Sequence, residues 1–494
     1  MPAVIDFSIK DLICASPAIF LFLGSLLPLS LKTIRGNREL NSMVSLMLAL
    51  FGIVCALAAA GLFYEQQKTQ FYAFSGALVF DGVSVFSSMA ISIITAVAAI
   101  MSREYKAIGR EQYSEFLFLL LNCAAGMMIL SWANDLIITF IGIEIMSLCL
   151  YLIIALSHEE RLSKEAAFKY FVLGGFASAF FLYGVALIYG ISGTTYINAF
   201  MVVAEKLMSE GYLFIFGIAM VAIGFCFKIA VVPFHAWAPD VYEGAPTPVT
   251  GFMATGVKLV TFVAFLRFIH GQFLTSEATL ITIMQWLAVL TMCLGNIAAI
   301  VQNSLKRMLA YSSIAHGGYV MVGLIAASIG GESWRGDLSV IFYMVAYAVM
   351  TFGAFGVVCL FEKKIGDMIL IDDLKGLARK DATTAFVFTI FLLSLAGIPP
   401  LVGFFGKFFI FSAAIKQGLF WLAIWAAVNS VISAYYYLRP IVYMYMKEES
   451  GADIDRTQEQ TRGIVIILAI LVVVLGVAAE PVYNHIKLAI SSLQ

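Results

Sequence analysis

Apolar runs of about 20 residues, each long enough to cross a bilayer as a helix, recur along almost the whole of this sequence. That recurrence constrains the fold more than any motif does. Lipid offers no hydrogen-bond partners, so a spanning segment must satisfy its own backbone, and runs of this length do so as α-helices. The sequence divides into roughly fourteen spans, at 11–31, 43–63, 79–102, 114–132, 134–156, 165–190, 212–237, 247–267, 280–301, 307–328, 336–361, 384–415, 418–446 and 463–480. Charged residues make up only 12% of the 494 positions, against about a quarter in soluble domains, and no stretch between spans is long enough for a soluble domain. The fold class is an all-α polytopic membrane protein, a single membrane domain over 1–494. Residues 192–211 read as an amphipathic helix lying at the interface.

Most lysines and arginines lie between spans. Eighteen of the 30 follow odd-numbered spans, among them Lys32, Arg38, Lys106, Arg110, Lys306, Lys363, Lys364 and Arg456, and seven, including Lys68 and Arg267, lie on the opposite side. The positive-inside rule then places both termini away from the cytoplasm. Five remain within spans, Lys169, Lys228, Lys258, Lys407 and Arg439, where a charge near the bilayer centre costs roughly 2.5–3.5 kcal/mol and marks a functional position by default.

Two of these lysines accompany interrupted helices. In GFCFKIAVVPFHAWAPDVYEGAPTPVTGFMATGVK, residues 224–258, Lys228 is followed by Pro233, which cannot continue the helical ladder, then by an acidic turn with Asp240 and Glu243, and finally by Lys258. In LAGIPPLVGFFGKFFIF, Pro399 and Pro400 break the twelfth span just before Lys407. Corresponding interruptions in two halves of a transporter point to its binding sites, and the seventh and twelfth spans stand five apart. The spacing predicts two inverted five-helix repeats, spans four to eight (114–267) and nine to thirteen (280–446), preceded by three N-terminal helices (11–102) and followed by a last helix (463–480).

The clearest acid inside a span is Glu144, in TFIGIEIMSLCLYLI; so placed it must be protonated or paired, and Lys228 is the natural partner. Asp81, Asp135 and Glu480 fall near span ends, where water reaches. The tenth span carries Tyr311, Ser312, Ser313, His316 and Tyr319; histidine titrates near neutrality and hydroxyls carry hydrogen-bonded chains, so His316 is a relay candidate beside the simpler reading of a packed core histidine. His235, just after Pro233, is a relay member or a cap. Buried charges that only specify packing are the structural alternative throughout.

Other chemistry finds no motif. There is no G-x-G-x-x-G, Leu401 stands where a phosphate loop ending in Gly406-Lys407 requires glycine, and His158-Glu159 is not followed by histidine at 162. The seven cysteines lie singly in apolar segments, without metal-ligand spacing. A net charge of -1 gives no basic face for nucleic acid.

FKIAVVPFHAWAPDVYEGAPTPV resembles the signature of the antiporter-like membrane subunits of proton-pumping NADH:quinone oxidoreductase, respiratory complex I. The resemblance covers essentially the whole chain. The continuation DVYEGAPTPV, and lysine rather than glutamate in the twelfth span, are most similar to one of the three paralogues. The resemblance implies about fourteen helices with two inverted repeats, embedded beside those paralogues in the complex's membrane arm. It implies a multi-pass protein of a bacterial inner membrane, with NADH, FMN, iron–sulfur clusters and a quinone held by other subunits and no cofactor or metal in this chain. It also implies that Glu144, Lys228, Lys258 and Lys407 are the family's proton-translocating residues. Pro17-Ala18 departs from the Pro-Glu pair of many members, which touches none of the four. A subunit of a multi-subunit sodium/proton antiporter of the same fold is the alternative.

Overall fold

The computed structural model describes residues 8–35, 70–105, 112–156, 161–269, 278–329, 335–362, 368–448 and 457–490, with 44, 47, 51, 108 and 455. Most of the expected second span, 43–63, lies outside the described residues, as do Arg38, Lys68, Lys106, Arg110, Lys363, Lys364 and Arg456. Helices α1 (Ile9–Gly24) and α2 (Leu26–Arg35) are followed by a hairpin of β1 (Gln70–Ala73) and β2 (Leu78–Asp81), paired antiparallel. Then come α3 (Gly82–Glu104), α4 (Tyr113–Trp132), α5 (Leu136–Ala155), α6 (Arg161–Ser192), α7 (Ile197–Glu210), α8 (Tyr212–Ile229) and α9 (Trp237–Gly244). Helix α10 (Thr247–Ile269) contains a π-helical turn at Met253–Val257. The remainder are α11 (Ala278–Val301), α12 (Leu305–Ile329), α13 (Arg335–Phe361), α14 (Ala382–Ala396), α15 (Val402–Lys416), α16 (Phe420–Met446), α17 (Glu459–Val477) and α18 (Ala479–Ile490).

Among the described residues, eleven helices are long and apolar enough to cross a membrane. The expected twelfth span is two 15-residue helices, α14 and α15. The expected thirteenth, α16, is 27 residues long but rich in tyrosine. Within the stretch 192–211 the helix formed, α7, covers Ile197–Glu210, and the acidic turn with Asp240 and Glu243 is the eight-residue helix α9.

Short acids cap the helices, because an N-terminal turn leaves backbone N–H groups without intrahelical partners. Asp81 accepts from Ser84 N at 2.8 Å, Asp135 from Ile137 N at 2.7 Å, and Asp381 from Thr384 N at 3.1 Å. Asp81 is not water-exposed as its position near a span end suggested. It is fully buried and grips Arg267 through two hydrogen bonds of 2.8 Å. Asp135 is also buried, while Glu480 is exposed.

The bundle has a clear inside. Helix α10 is buried along its whole apolar window, and α12 and α13 are nearly so, whereas α6 and α17 turn most of their surface outward. Ordinary hydropathy does not separate these groups, since lipid and protein interior are equally apolar.

Candidate functional site

The two interruptions are built alike. Helix α8 stops at Ile229 because Ala230 is left-handed (φ 60°), and α14 stops at Ala396 because Gly397 is (φ 90°). A cis peptide bond follows each, Val232–Pro233 and Pro399–Pro400. Broken backbone at membrane depth requires internal partners. At the first break Trp237 Nε1 donates to the Phe227 carbonyl at 3.0 Å, and Val232 N donates to Thr291 Oγ1 on α11 at 3.0 Å. At the second, the Ala396 carbonyl accepts from Lys407 Nζ at 2.9 Å.

Lys228 lies in the last turn of α8, where the helix dipole favours a cation. It is 2% exposed and donates to Ser147 Oγ at 2.7 Å. The rings of Tyr151, Tyr170 and Phe227 surround it at 5.4–5.8 Å. The expected direct Glu144–Lys228 ion pair is not formed. Glu144 is half-buried and accepts from Ser178 on α6, although it is near enough for Coulombic interaction with the lysine. Ser147 stands one turn after Glu144 on the same face of α5, so the lysine rests on the hydroxyl beside the carboxylate.

Lys258, directly after the π-helical turn of α10, is 2% exposed and donates to the Ser313 carbonyl at 2.5 Å. A glycine marks a close helix crossing beside it. A Cβ on Gly317 would stand 3.2 Å from the Ile229 carbonyl and 3.9 Å from Lys258 Nζ, so α12 passes directly over the end of α8 and the second lysine. One residue earlier, His316 is buried between hydroxyls, with Nδ1 2.6 Å from Tyr343 OH and Nε2 3.0 Å from Tyr437 OH. Ser312 also bonds Tyr437. Lys407 is 4% exposed, donates to Ser430 Oγ at 3.0 Å and faces the Tyr319 ring at 5.0 Å. Tyr319 OH in turn meets Asn296, which bonds Tyr436 and Asn429.

The structure therefore draws Lys258, Ser312, His316 and Lys407 into the interior, while Lys228 points to α5 and only the backbone of the next residue, Ile229, meets Gly317. It does not bring Tyr311 in; that residue is half-buried toward Arg307 and makes no hydrogen bond with the cluster. His235 lies within the first break, its carbonyl accepting from Ala238 N at 3.0 Å and its half-buried ring beside the Pro233 backbone. Tyr343, Tyr347 and Tyr437 escaped the sequence reading. Their signal was present, since Tyr343 and Tyr347 are four apart on one helical face, but tyrosine is common in spans.

Two in-span basic residues turn out to be peripheral. Lys169 pairs with Glu165 and Asp240, and Arg439 reaches back to the Gln302 carbonyl and Asn303. Conversely Arg267 and Lys306, assigned to loops, are buried in ion pairs with Asp81 and Glu362. At α9, burial pushes the Asp240 carboxyl up, but Lys169 and Arg307 more than offset this and hold it below its ordinary value. Burial keeps Glu243 above its ordinary value despite Ser304, Lys306 and Arg307. Among the described residues no group of three or more histidines, cysteines or carboxylates could hold a metal ion.

The family model described as NADH:quinone oxidoreductase/Mrp antiporter, TM, matches residues 133–433, a range that contains Glu144, Lys228, Lys258, His316 and Lys407. NADH-quinone oxidoreductase subunit N of Bdellovibrio bacteriovorus is 50% identical over 98% of this chain and 99% of its own length. A chain of respiratory complex I from Thermus thermophilus is 31% identical, with a TM-score of 0.78, over 95% of this chain and 98% of that one. A chain of the Mrp complex from Dietzia sp. shares the fold at 20% identity, with a TM-score of 0.82, over 96% of each chain.

Proposed function

As a member of the NADH-quinone oxidoreductase subunit N family, this chain is an antiporter-like, proton-translocating membrane subunit of complex I, and we propose that Lys228, Lys258, His316 and Lys407 carry its protons. It works as part of a translocating oxidoreductase, packed against the other antiporter-like subunits of the membrane arm. The observation that carries the residue assignment is that three lysines, each 4% exposed or less, bond only neutral oxygens, at Ser147, at the Ser313 carbonyl, and at Ala396 and Ser430. A buried ammonium without a carboxylate contact is costly, and it is poised to give up its proton or change partner. Glu144, one turn from Ser147, is the available alternative partner for Lys228.

The magnitudes agree with pumping. Moving one charge against roughly 180 mV costs about 4 kcal/mol, at about 2.3 kcal/mol per 100 mV. A hydrogen bond to a charged group contributes about 1.5–3 kcal/mol, so making or breaking the Lys228–Ser147 contact is a change of the same order. Protons passed from Lys228 reach Lys258 across Gly317, and His316 with Tyr343 and Tyr437 leads toward Lys407. The redox steps belong to NADH, FMN, iron–sulfur clusters and a quinone in other subunits.

We further infer that 114–267 and 280–446 are inverted repeats, a reading supported by the matching breaks at 230–236 and 397–401. The protein belongs in a bacterial inner membrane, with both termini on the non-cytoplasmic side, as the loop charge bias supports. A sodium/proton antiporter subunit is the second reading, favoured by the shared Mrp fold. The full-length subunit N relatives weigh against it. The test is Lys228→Ala in assembled complex. Coupled quinone reduction and pumping should fall together, and wild-type levels of both would remove Lys228 from the pump.

A further inference from the structure

Behind Tyr319, whose ring faces Lys407, lie two buried amides. Asn296 on α11 and Asn429 on α16 are both 0% exposed, in spans where a primary amide without hydrogen bonds is costly. Asn429, Ser433, Tyr436 and Tyr437 are spaced i, i+4, i+7, i+8, so α16 turns one polar face inward. Asn296 reaches α12 as well, because its neighbour Gly295 lets α11 and α12 touch. A Cβ on Gly295 would stand 2.6 Å from Ala315 N.

The partners of Asn296 fix the orientation of its amide. Its Nδ2 donates to the main-chain carbonyl and to Oδ1 of Asn429, both at 3.2 Å, and to Tyr319 OH at 3.3 Å. A carbonyl can only accept, so the NH2 group must face this way and Oδ1 the other, where it accepts from Tyr436 OH at 3.0 Å. Asn429 is held in turn, its Nδ2 donating to the Trp425 carbonyl at 2.9 Å and to Cys293 Sγ at 3.4 Å. Unlike a hydroxyl, an amide cannot exchange these roles. The Tyr319 oxygen therefore accepts from Asn296 and keeps its own hydrogen for Ser433, which donates to the Ser430 carbonyl at 2.6 Å. With its hydroxyl tied, the Tyr319 ring stands edge-on to His316, centroids 5.7 Å apart, and 5.0 Å from the Lys407 ammonium. Around that ammonium α12 supplies His316 and Tyr319, α14 the Ala396 carbonyl and α16 the Ser430 hydroxyl. Helix α13 lays Tyr343 on the neighbouring Gly406, and α17 is apolar over 463–477.

We propose that Asn296 is a positioning residue for Lys407, acting through Tyr319: it anchors the phenol hydroxyl so that the ring stays over the ammonium. A ring face attracts a cation, so a tied ring favours the protonated lysine and a released one favours the neutral amine. Asn296 carries no proton itself, since its donors and its acceptor are not interchangeable. This inference rests on the proton-carrying role proposed for Lys407.

The test compares Asn296→Leu, Tyr319→Phe and the double variant in assembled complex reconstituted in vesicles, with Lys407→Ala alongside, and follows proton pumping against pH. Leucine keeps the volume and removes the amide, while phenylalanine keeps the ring and removes the anchored hydroxyl. Each single variant should lower pumping about three- to tenfold, the scale of one hydrogen bond. Each should also move the alkaline limb of the pH profile down by about half to one unit, the same factor in proton affinity. The double variant should be scarcely worse than either single one, because the two residues act as a unit. If Lys407→Ala stops pumping while Asn296→Leu and Tyr319→Phe keep wild-type rates and profiles, the positioning role is overturned and the lysine reading stands. If Lys407→Ala pumps normally, both fall. Losses that multiply in the double variant, with the alkaline limb unmoved, make the amides a packing device and overturn the proposal. Should Asn296→Leu not assemble, Tyr319→Phe decides, since a wild-type rate and profile there refute the anchor.

Discussion

Ser147→Ala removes the hydrogen bond that Lys228 makes in this structure, at 2.7 Å, and leaves a side chain 2% exposed among three aromatic rings. A buried hydrogen bond to a charged group contributes about 1.5–3 kcal/mol. Ring faces return only part of this, since each cation–π contact is worth about 0.5–2 kcal/mol and all three are already present. The net change shifts the equilibrium between lysine positions by about ten- to a hundredfold, at about 1.36 kcal/mol per decade. The ammonium is then drawn toward Glu144, one turn away, or abandoned for the neutral amine. Either outcome breaks the alternation on which pumping depends. Ser147→Thr keeps a hydroxyl at the same place and should retain most activity. Proton pumping and quinone reduction are measured together in membranes whose complex has been checked for assembly. Wild-type pumping in Ser147→Ala, or a Thr variant as impaired as the Ala variant, would refute the reasoning.

Glu144→Gln should impair pumping more than Glu144→Asp, because neutralisation abolishes a Coulomb term that one methylene of retraction only weakens. Adding Lys228→Ala to Glu144→Gln should be scarcely worse than Lys228→Ala alone if the two act as a unit, and fully additive losses in pumping assays would separate them. Gly403→Ala should prevent α15 from seating. Its Cβ would overlap the Ser394 carbonyl, and relieving such an overlap costs about 1–3 kcal/mol or more; native-gel assembly and thermal stability are the measurements. Glu243→Gln should be neutral or stabilising at pH 7. With its folded value raised by burial, the ionised form carries a cost that is fully present above that value and vanishes below the unfolded one, so any gain in melting temperature should disappear on acidification.

Much of this protein was legible in the residues alone. Spanning length and the absence of hydrogen-bond partners in lipid dictate a helical bundle, Pro233 and Pro399-Pro400 dictate where two helices break, and the cost of a buried charge singles out Lys228, Lys258 and Lys407. Each of these follows from local chemistry. What the sequence could not decide is which apolar face meets protein and which meets lipid, because both are equally dry. Hydropathy therefore could not tell the buried Arg267 and Lys306 from ordinary loop charges, nor the peripheral Lys169 and Arg439 from core ones. Pairing is likewise a matter of tertiary geometry. A sequence names Glu144 and Lys228 as opposite charges, but only the tertiary fold that brings Lys228 to α5 puts Ser147 rather than Glu144 against its ammonium. In the same way, only the crossing at Gly317 brings two lysines 30 residues apart and a histidine on a third helix into one interior.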